Sequence, residues 1–186
     1  MDKIEIKKKQ GSIVEALRDA ILSGSIPADT EMTQNELAQS LGVSRMPVRE
    51  ALIILEYQGL IRRLPNNHVR VVPQTREYLS ALFGMCTYLV VPLLCGLEHP
   101  EELPEREPEF HRAIYQQCGF AFQKKTLESL TEIYIAYAAA SLSVKGTDAA
   151  KALRAVKEAV VLRNEQKVQQ ALEQYYTILL DGMMTE

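Results

Sequence analysis

The chain has 186 residues, of which 47% are hydrophobic and 24% charged, and its formal net charge is −3. These proportions are typical of a globular protein and argue against a disordered or low-complexity chain. The three cysteines include no closely spaced pair, which disfavours a disulfide framework or a cysteine-based zinc site. The N-terminus lacks the apolar stretch of a signal peptide, so we expect a cytoplasmic protein.

Charge differs between two parts of the chain. Residues 1–74 carry a net charge of +1 and residues 75–186 a net charge of −4. The segment Pro73-Gln74-Thr75 is the predicted boundary, because proline ends a strand and polar residues follow it. We therefore predict one domain over residues 1–73 and a second over residues 76–186.

The chain begins with a predicted charged arm, residues 1–9, which includes Lys7, Lys8 and Lys9. A first helix is predicted from about Ser12 to about Ser23. Its apolar residues recur at three- and four-residue steps, which is typical of a helix with one face in a core. That face carries Ile13, Leu17, Ala20 and Ile21.

Two short helices separated by a glycine are predicted next. In the first, Thr33 to Leu41, Thr33 and Glu36 have the spacing of a capping box. Gly42 can end this helix in the left-handed conformation. Ser44 is the predicted N-cap of the second helix. A helix, a glycine turn and a helix form the arrangement with which many proteins place a helix in a DNA groove.

The second of these helices has two distinct faces. Arg45 and Arg49 are four residues apart, so their guanidinium groups project from the same side. The opposite side carries apolar residues at helical spacing, namely Val48, Ala51, Leu52 and Leu55. We predict that the arginine side is exposed and contacts DNA.

A two-stranded hairpin is predicted directly after this helix. Residues 60–64 and 69–72 are the strands, and residues 65–68 form a polar turn in which asparagine tolerates a positive φ. A hairpin in this position is a wing. We expect Arg62, Arg63 and Arg70 on the wing to meet DNA phosphates.

These segments resemble the GntR family of winged-helix bacterial transcription regulators over roughly residues 10–73. The resemblance is carried by Glu36-Leu37-Ala38, Leu41-Gly42-Val43-Ser44-Arg45, Pro47-Val48-Arg49-Glu50-Ala51-Leu52, Leu55 and Gly59-Leu60-Ile61. It implies that Arg45 and Arg49 contact bases and phosphates and that Ser44 contacts a phosphate.

The resemblance also assigns contacts outside the second helix, with two departures. The family often has a DNA-contacting arginine where Asn35 stands, and a wing glycine where His68 stands. Arg63 and the wing tip at Asn67 and His68 are the implied contacts of the wing, with the tip near the minor groove.

The C-terminal part is predicted to be helical throughout. Its first helix, Arg76 to Leu97, has no charged residue from Leu79 onwards, a length close to the ~20 residues that cross a bilayer. Gly84 and Pro92 interrupt the apolar pattern, and no basic flank follows. We therefore favour a helix with one face in a core and another toward a partner subunit over a membrane span. Pro92 is expected to kink or break the helix.

An acidic, proline-containing loop over residues 98–108 is predicted after this helix. Further helices are predicted at residues 109–119, 124–143, 148–162 and 165–180, with Thr147 or Asp148 and Asn164 as N-caps. Short connections between them indicate an antiparallel bundle. The whole chain is thus predicted to be mainly α: a winged helix-turn-helix domain of three helices and a two-stranded wing, followed by an all-α bundle.

The C-terminal part resembles a shortened FCD domain, the all-helical effector domain of the FadR subgroup. Glu107-Pro108-Glu109-Phe110-His111 is similar to that domain's Asp-x-x-Phe-His motif. The resemblance implies a divalent metal held by the carboxylate and by histidines of later helices. Leu153 and Tyr175 stand where two of those histidines are expected. We therefore predict no metal cofactor, with Glu107 and His111 as the remaining weak candidates for metal ligands.

Together these patterns predict a cytoplasmic transcription regulator, and not an enzyme, since no nucleophile–base pair is evident. It is expected to be a repressor that binds a palindromic operator on double-stranded DNA as a homodimer, with salt-sensitive affinity. A small-molecule effector is the first hypothesis for its regulation, with Glu107, His111 and Tyr175 as candidate ligand-binding residues. The alternative is a dimeric DNA-binding regulator without an effector, controlled by a protein partner or by its abundance.

Overall fold

A computed structural model describes residues 13–145 and 148–184, without the side chains of residues 143–145. The chain divides into two compact units, Met1–Gln74 and Thr75–Glu186. The predicted arm at residues 1–9, the predicted helix start at Ser12 and the candidate cap Thr147 lie outside the described residues.

The N-terminal unit contains three helices and a small sheet within its described part. The elements in chain order are α1 (Ile13–Leu22), β1 (Glu31–Met32), α2 (Gln34–Leu41), α3 (Arg45–Tyr57), β2 (Ile61–Arg63) and β3 (Val69–Val71). The predicted core face of α1 is confirmed at Leu17, Ala20 and Ile21, which are buried, whereas Ile13 is only half-buried.

The sheet has three antiparallel strands in the order β1-β3-β2, so the prediction of a two-stranded wing is incomplete. Glu31 of β1 pairs with Arg70, and Met32 pairs with Val69. The sequence gives little sign of β1 because two residues are too few for an alternating pattern. The strand forms because Met32 is buried in the core of the unit, at 2% exposure.

The predicted helix ends are mostly confirmed. The Thr33 side chain accepts from the backbone N–H of Glu36 at 3.1 Å, and the Glu36 carboxylate accepts from the backbone N–H of Thr33 at 2.8 Å. Gly42 ends α2 with φ of 65°, in the left-handed region. Ser44 is the N-cap of α3, but its side chain accepts no hydrogen bond from the helix.

The described part of the C-terminal unit is helical. Its helices are α4 (Arg76–Cys95), α5 (Glu109–Gln116), α6 (Ala121–Leu130), α7 (Ala136–Lys145), α8 (Ala149–Val161) and α9 (Glu165–Met183). A 3₁₀ turn at Pro100–Glu102 lies in the acidic loop, and a π-helical turn at Thr131–Ile135 joins α6 to α7. Asn164 is confirmed as an N-cap, since its side chain accepts from the Lys167 amide at 3.0 Å.

Helix α9 lies at the centre of this unit and packs against α4, α7 and α8. Its inner residues Leu172, Tyr175, Tyr176 and Leu179 are at most 2% exposed. Pro92 does not break α4, because the helix continues to Cys95. By length and composition alone α4 could cross a membrane, and 39% of its apolar window is buried within the structure.

Candidate functional site

The side chains of Arg45 and Arg49 lie on the exposed side of α3. Both arginines are exposed, whereas Val48, Ala51 and Leu52 on the other side are at most 2% exposed. Neither arginine forms an ion pair with any residue in the described part of the chain. Two guanidinium groups on one helix, anchored by an apolar opposite face and without an ion-pair partner among the residues described, can bind phosphates or the edges of bases.

Two further predicted contacts lie near this helix in the chain. Ser44 is exposed at the N-terminus of α3, and Asn35 is exposed in the first turn of α2. The helices α2 and α3 pack against each other, so both side chains belong to one compact helix-turn-helix.

The wing tip is a closed turn. The Leu64 amide donates to the His68 carbonyl at 2.9 Å, and the Asn67 amide donates to the Leu64 carbonyl at 3.0 Å. Asn67 has φ of 62° and is exposed, which agrees with the asparagine turn that the sequence predicts. His68 is half-buried beside it.

The basic side chains of the wing differ in the carboxylates that they contact. Arg63 Nε lies 3.3 Å from the Glu56 carboxylate of α3. Arg70 and His68 both contact the Glu31 carboxylate, at 3.2 Å and 2.6 Å. Arg62 is exposed and pairs with no carboxylate among the described residues.

Sequence analysis did not single out Glu31. Asn66 Nδ2 also donates to its carboxylate, at 3.2 Å, so the groups of three wing residues converge on one side chain. The hydrogen bonds from Asn66, His68 and Arg70 lower the pKa of Glu31, since they stabilise its ionised form. In the sequence, Glu31 is an isolated glutamate before a methionine, and this pattern is too common to indicate such a cluster.

A chain of hydrogen bonds lies in the interior of the C-terminal unit. His111 Nδ1 lies 2.5 Å from Glu107 Oε1, and His111 Nε2 lies 2.6 Å from the Tyr176 hydroxyl. The Tyr175 hydroxyl donates to the same Glu107 oxygen at 3.0 Å. Cys86 Sγ lies 3.1 Å from the Tyr176 hydroxyl. Helices α4, α5 and α9 are thus joined through polar groups that are shielded from water.

Burial keeps the Cys86 thiol and the hydroxyls of Tyr175 and Tyr176 protonated. It raises the pKa of the Cys86 thiol to about 12 and the pKa values of both tyrosine hydroxyls well above their usual range. Glu107 Oε1 accepts from the Tyr175 hydroxyl, and His111 joins Glu107 to Tyr176 through its two ring nitrogens. The second carboxylate oxygen, Glu107 Oε2, is buried without a hydrogen-bond partner among the described residues.

A cavity of about 400 Å³ adjoins Glu107. Its polar wall includes Glu105, Arg106, Glu107 and Tyr175, and its apolar wall includes Leu142, Leu153 and Leu179. Two of the predicted ligand-binding residues, Glu107 and Tyr175, therefore line one cavity. The third, His111, lies behind Glu107 and holds its carboxylate.

The residues around Glu107 do not fit the metal site that the resemblance implies. Both ring nitrogens of His111 have hydrogen-bond partners within the protein. The positions where further histidines are expected, Leu153 and Tyr175, line the cavity but offer an alkyl group and a hydroxyl that stays protonated. Over the residues that the structure covers, no three His, Cys, Asp or Glu side chains are grouped as a metal site requires.

The N-terminal unit is similar in sequence to known bacterial regulators. Residues 9–71 match the family model described as bacterial regulatory proteins, gntR family. A helix-turn-helix transcriptional regulator of Streptomyces ambofaciens is 45% identical over 49 residues, 26% of this chain and 21% of the relative. The gluconate operon transcriptional repressor of Bacillus licheniformis is 48% identical over 46 residues, 25% of this chain and 19% of the relative. The match thus spans about a fifth of the length of each of these relatives.

Nearly the whole chain also superposes on a protein of solved structure. A GntR protein from Rhodococcus sp. RHA1 superposes with a TM-score of 0.60 at 18% identity, covering 92% of this chain and 95% of that chain. At this identity the similarity shows the fold alone. Residues 9–71 are thus similar in sequence to the gntR family of bacterial regulatory proteins, and nearly the whole chain shares the fold of a GntR protein.

Proposed function

We propose that the chain is a cytoplasmic transcription regulator that binds a palindromic operator as a homodimer and represses transcription. The observation that carries this proposal is the pair Arg45 and Arg49 on α3, which is exposed and has no internal carboxylate among the described residues. A helix entering the major groove needs cationic or polar side chains that remain available for base edges and phosphates.

The proposed contacts follow from the placement of each side chain. Arg49 and Arg45 read base edges or adjacent phosphates, and Ser44 at the start of α3 binds a phosphate. Asn35, which is exposed on α2, adds a polar contact beside them. Asn67 approaches the minor groove from the wing tip. Arg63 and His68 are weaker candidates, because each faces a carboxylate of its own unit.

The proposed homodimer forms through the exposed side of α4, a surface that we define by Ala81, Gly84, Met85, Tyr88 and Pro92. No residue of this α4 surface is charged, and Tyr88 is 81% exposed. A groove of about 390 Å³ between α4 and α9, lined by Gly84, Tyr88 and Pro92, can receive a partner's side chain. Two subunits joined in this way present two copies of α3 to operator half-sites about 34 Å apart.

The proposed effector site is the cavity beside Glu107. Its volume falls within the range of small-molecule pockets, and it combines an apolar wall with few polar groups. The buried oxygen Glu107 Oε2 has no donor within the described part of the chain, so a ligand that brings an ammonium or hydroxyl donor would satisfy it. In this proposal the C-terminal unit is a shortened FCD-type domain that binds such a ligand without a metal. The ligand alters operator affinity by preferring one helix arrangement over another.

Repression is the favoured direction of regulation. The Bacillus licheniformis relative is a repressor by name, and its match lies within the DNA-binding domain. A dimer that covers an operator blocks transcription without needing a surface for RNA polymerase. This is the simplest outcome for a chain with the proposed DNA-binding and sensing domains.

The DNA-binding proposal is tested by selecting bound duplexes from a random library and measuring affinity for the selected sequence. Replacing Arg49 with alanine should weaken binding by about 1–3 kcal/mol if the side chain reads a base. Arg154→Ala, which removes an exposed arginine from α8, is the matched control and should leave affinity unchanged. Failure to select any sequence, or equal effects of the two substitutions, would refute the proposal.

The dimer is tested by sedimentation at micromolar concentration. Tyr88→Glu places a charge in the proposed interface and should give monomers. Tyr57→Glu makes the same change at a tyrosine that is 72% exposed in the N-terminal unit, and it should leave the dimer intact. A monomeric wild-type protein, or a dimeric Tyr88→Glu protein, contradicts the assignment.

The effector site is tested by thermal shifts against a library of small amines and alcohols. Ala139→Phe fills the cavity and should abolish any shift, whereas Ala140→Phe changes the adjacent exposed position and should preserve it. A library without hits favours the alternative, a regulator without a small-molecule effector.

A further inference from the structure

The outer face of the small sheet carries a row of three charged side chains. Glu31 on β1 is directly opposite Arg70 on β3, and Arg70 is directly opposite Arg62 on β2. Directly opposed residues of antiparallel strands point to the same face, so the three side chains lie side by side. The anion at the edge of the row therefore adjoins Arg70, and Arg62 lies on the other side of Arg70.

The carboxylate of Glu31 is the centre of a hydrogen-bonded cluster. Oε2 accepts from Arg70 at 3.2 Å, and Oε1 lies 2.6 Å from Nδ1 of His68 and 3.2 Å from Nδ2 of Asn66. Asn66 in turn accepts from the His68 backbone amide at 3.1 Å, which closes the turn at the tip. All these groups belong to the wing or to the strand beside it. Glu31 thus holds the wing tip and the side chains of His68 and Arg70 in place.

We infer that Glu31 limits the phosphate contacts of the wing, because it holds the Arg70 guanidinium on the protein and so keeps it from a DNA phosphate. This inference rests on the proposed function. With Glu31 in place, the wing contributes few phosphate contacts of its own. Recognition then depends more heavily on α3, whose arginines have no such internal anion among the described residues.

The physical reason lies in the different roles of phosphate and base contacts. Each phosphate neutralised by a cation releases counterions and strengthens binding to any duplex, whatever its sequence. A cation that already contacts a carboxylate must leave it to bind a phosphate. The net gain in binding free energy is therefore small. Pairing Arg70 with Glu31 therefore lowers the affinity for any duplex and leaves base readout by α3 in place. The ratio of operator to non-operator affinity is retained, while binding becomes less sensitive to salt.

The test compares the wild-type protein with Glu31→Gln on two duplexes, the selected operator and a scrambled sequence of equal length. Binding is measured by fluorescence anisotropy across a series of potassium chloride concentrations. Glutamine keeps the size of the side chain and its oxygen acceptor but removes the charge. On the scrambled duplex the slope of log K against log salt should steepen by about 1, since one added phosphate contact contributes about 0.9.

The ratio of operator to scrambled affinity is the second measurement. It should stay unchanged in Glu31→Gln, because a released Arg70 strengthens binding to both duplexes by a similar factor while base readout is unchanged, and a several-fold change would overturn the inference. Glu31→Ala removes the acceptor entirely and must change the slope in the same direction. Thermal unfolding of both variants verifies that the sheet is retained.

A control background separates released cations from the mere loss of a negative charge. In a protein that carries His68→Gln and Arg70→Gln, the further change Glu31→Gln should leave the salt slope as it was. An equal steepening in that background, or no steepening in the wild-type background, overturns the inference. A wild-type protein that binds no duplex would instead refute the proposed function, so the two failures are distinguishable.

Discussion

Nε2 of His111 lies 2.6 Å from the hydroxyl of Tyr176, a residue 65 positions later in the chain. Both side chains are at most 2% exposed, and the Tyr176 ring also stacks on Phe83 of α4 with centroids 5.2 Å apart. This contact therefore ties α5 to α9 where α9 packs on α4. The imidazole that a sequence motif suggests as a metal ligand is an internal hydrogen-bonding group.

Removing the Tyr176 hydroxyl should destabilise the C-terminal unit. Tyr176→Phe keeps the ring stack but leaves His111 and Cys86 without this partner in a buried site. The expected cost is about 1–3 kcal/mol in the free energy of unfolding, the usual penalty for an orphaned buried polar group. Urea denaturation measures it. Tyr57→Phe, at a tyrosine that is 72% exposed, is the control, and equal stability of the two variants would show that the contact contributes little.

The cysteines should differ in reactivity. Burial raises the pKa of Cys86 to about 12, so at pH 8 only about one thiol in 10⁴ is ionised. Cys95 is only partly buried, and Cys118 is buried. In the native protein a disulfide reagent at pH 8 should label Cys95 first, and Cys86 and Cys118 should react only after denaturation. Mass spectrometry locates the label, and rapid native labelling of Cys86 contradicts the packing of α4.

Gly182 marks a close approach between α9 and α7. A Cβ atom at this position would lie within 2.6 Å of Leu142 Cγ. Gly182→Ala should therefore destabilise the protein by about 1–3 kcal/mol, although alanine is intrinsically the better helix former. Leu142→Ala combined with Gly182→Ala should lose less stability than the two single effects summed. Strict additivity in urea denaturation would argue against the contact.

The capping box of α2 should make stability depend on pH. Hydrogen bonds from the backbone amide and hydroxyl of Thr33 lower the pKa of Glu36 from its usual 4.5. A lowered folded-state pKa means that the stabilisation is present above the unfolded-state value and is lost as the pH falls through the folded-state value. Glu36→Gln should therefore lower the melting temperature at pH 7, and the difference from wild type should shrink toward pH 3. A difference that is constant across this range would contradict the assignment.

Contacts between residues close in sequence determine the helix-turn-helix of the N-terminal unit. The capping box at Thr33 and Glu36, the left-handed Gly42 and the apolar face opposite Arg45 and Arg49 all depend on contacts within a few residues. Such contacts leave fixed spacings, so the helix-turn-helix and its exposed arginines could be predicted. The match of residues 9–71 to the gntR family agrees with that prediction.

Other features depend on residues that are distant in the chain. Glu31 meets Arg70 and His68 only because β1 pairs with β3, and a two-residue strand leaves no pattern to detect. Tyr176 reaches His111 only because α9 passes through the centre of the C-terminal unit. Sequence by itself therefore predicted the helix-turn-helix and the exposed arginine side of α3. Only the tertiary structure decided which polar groups satisfy one another, because hydrogen-bond partners far apart in the chain are selected by packing and not by spacing.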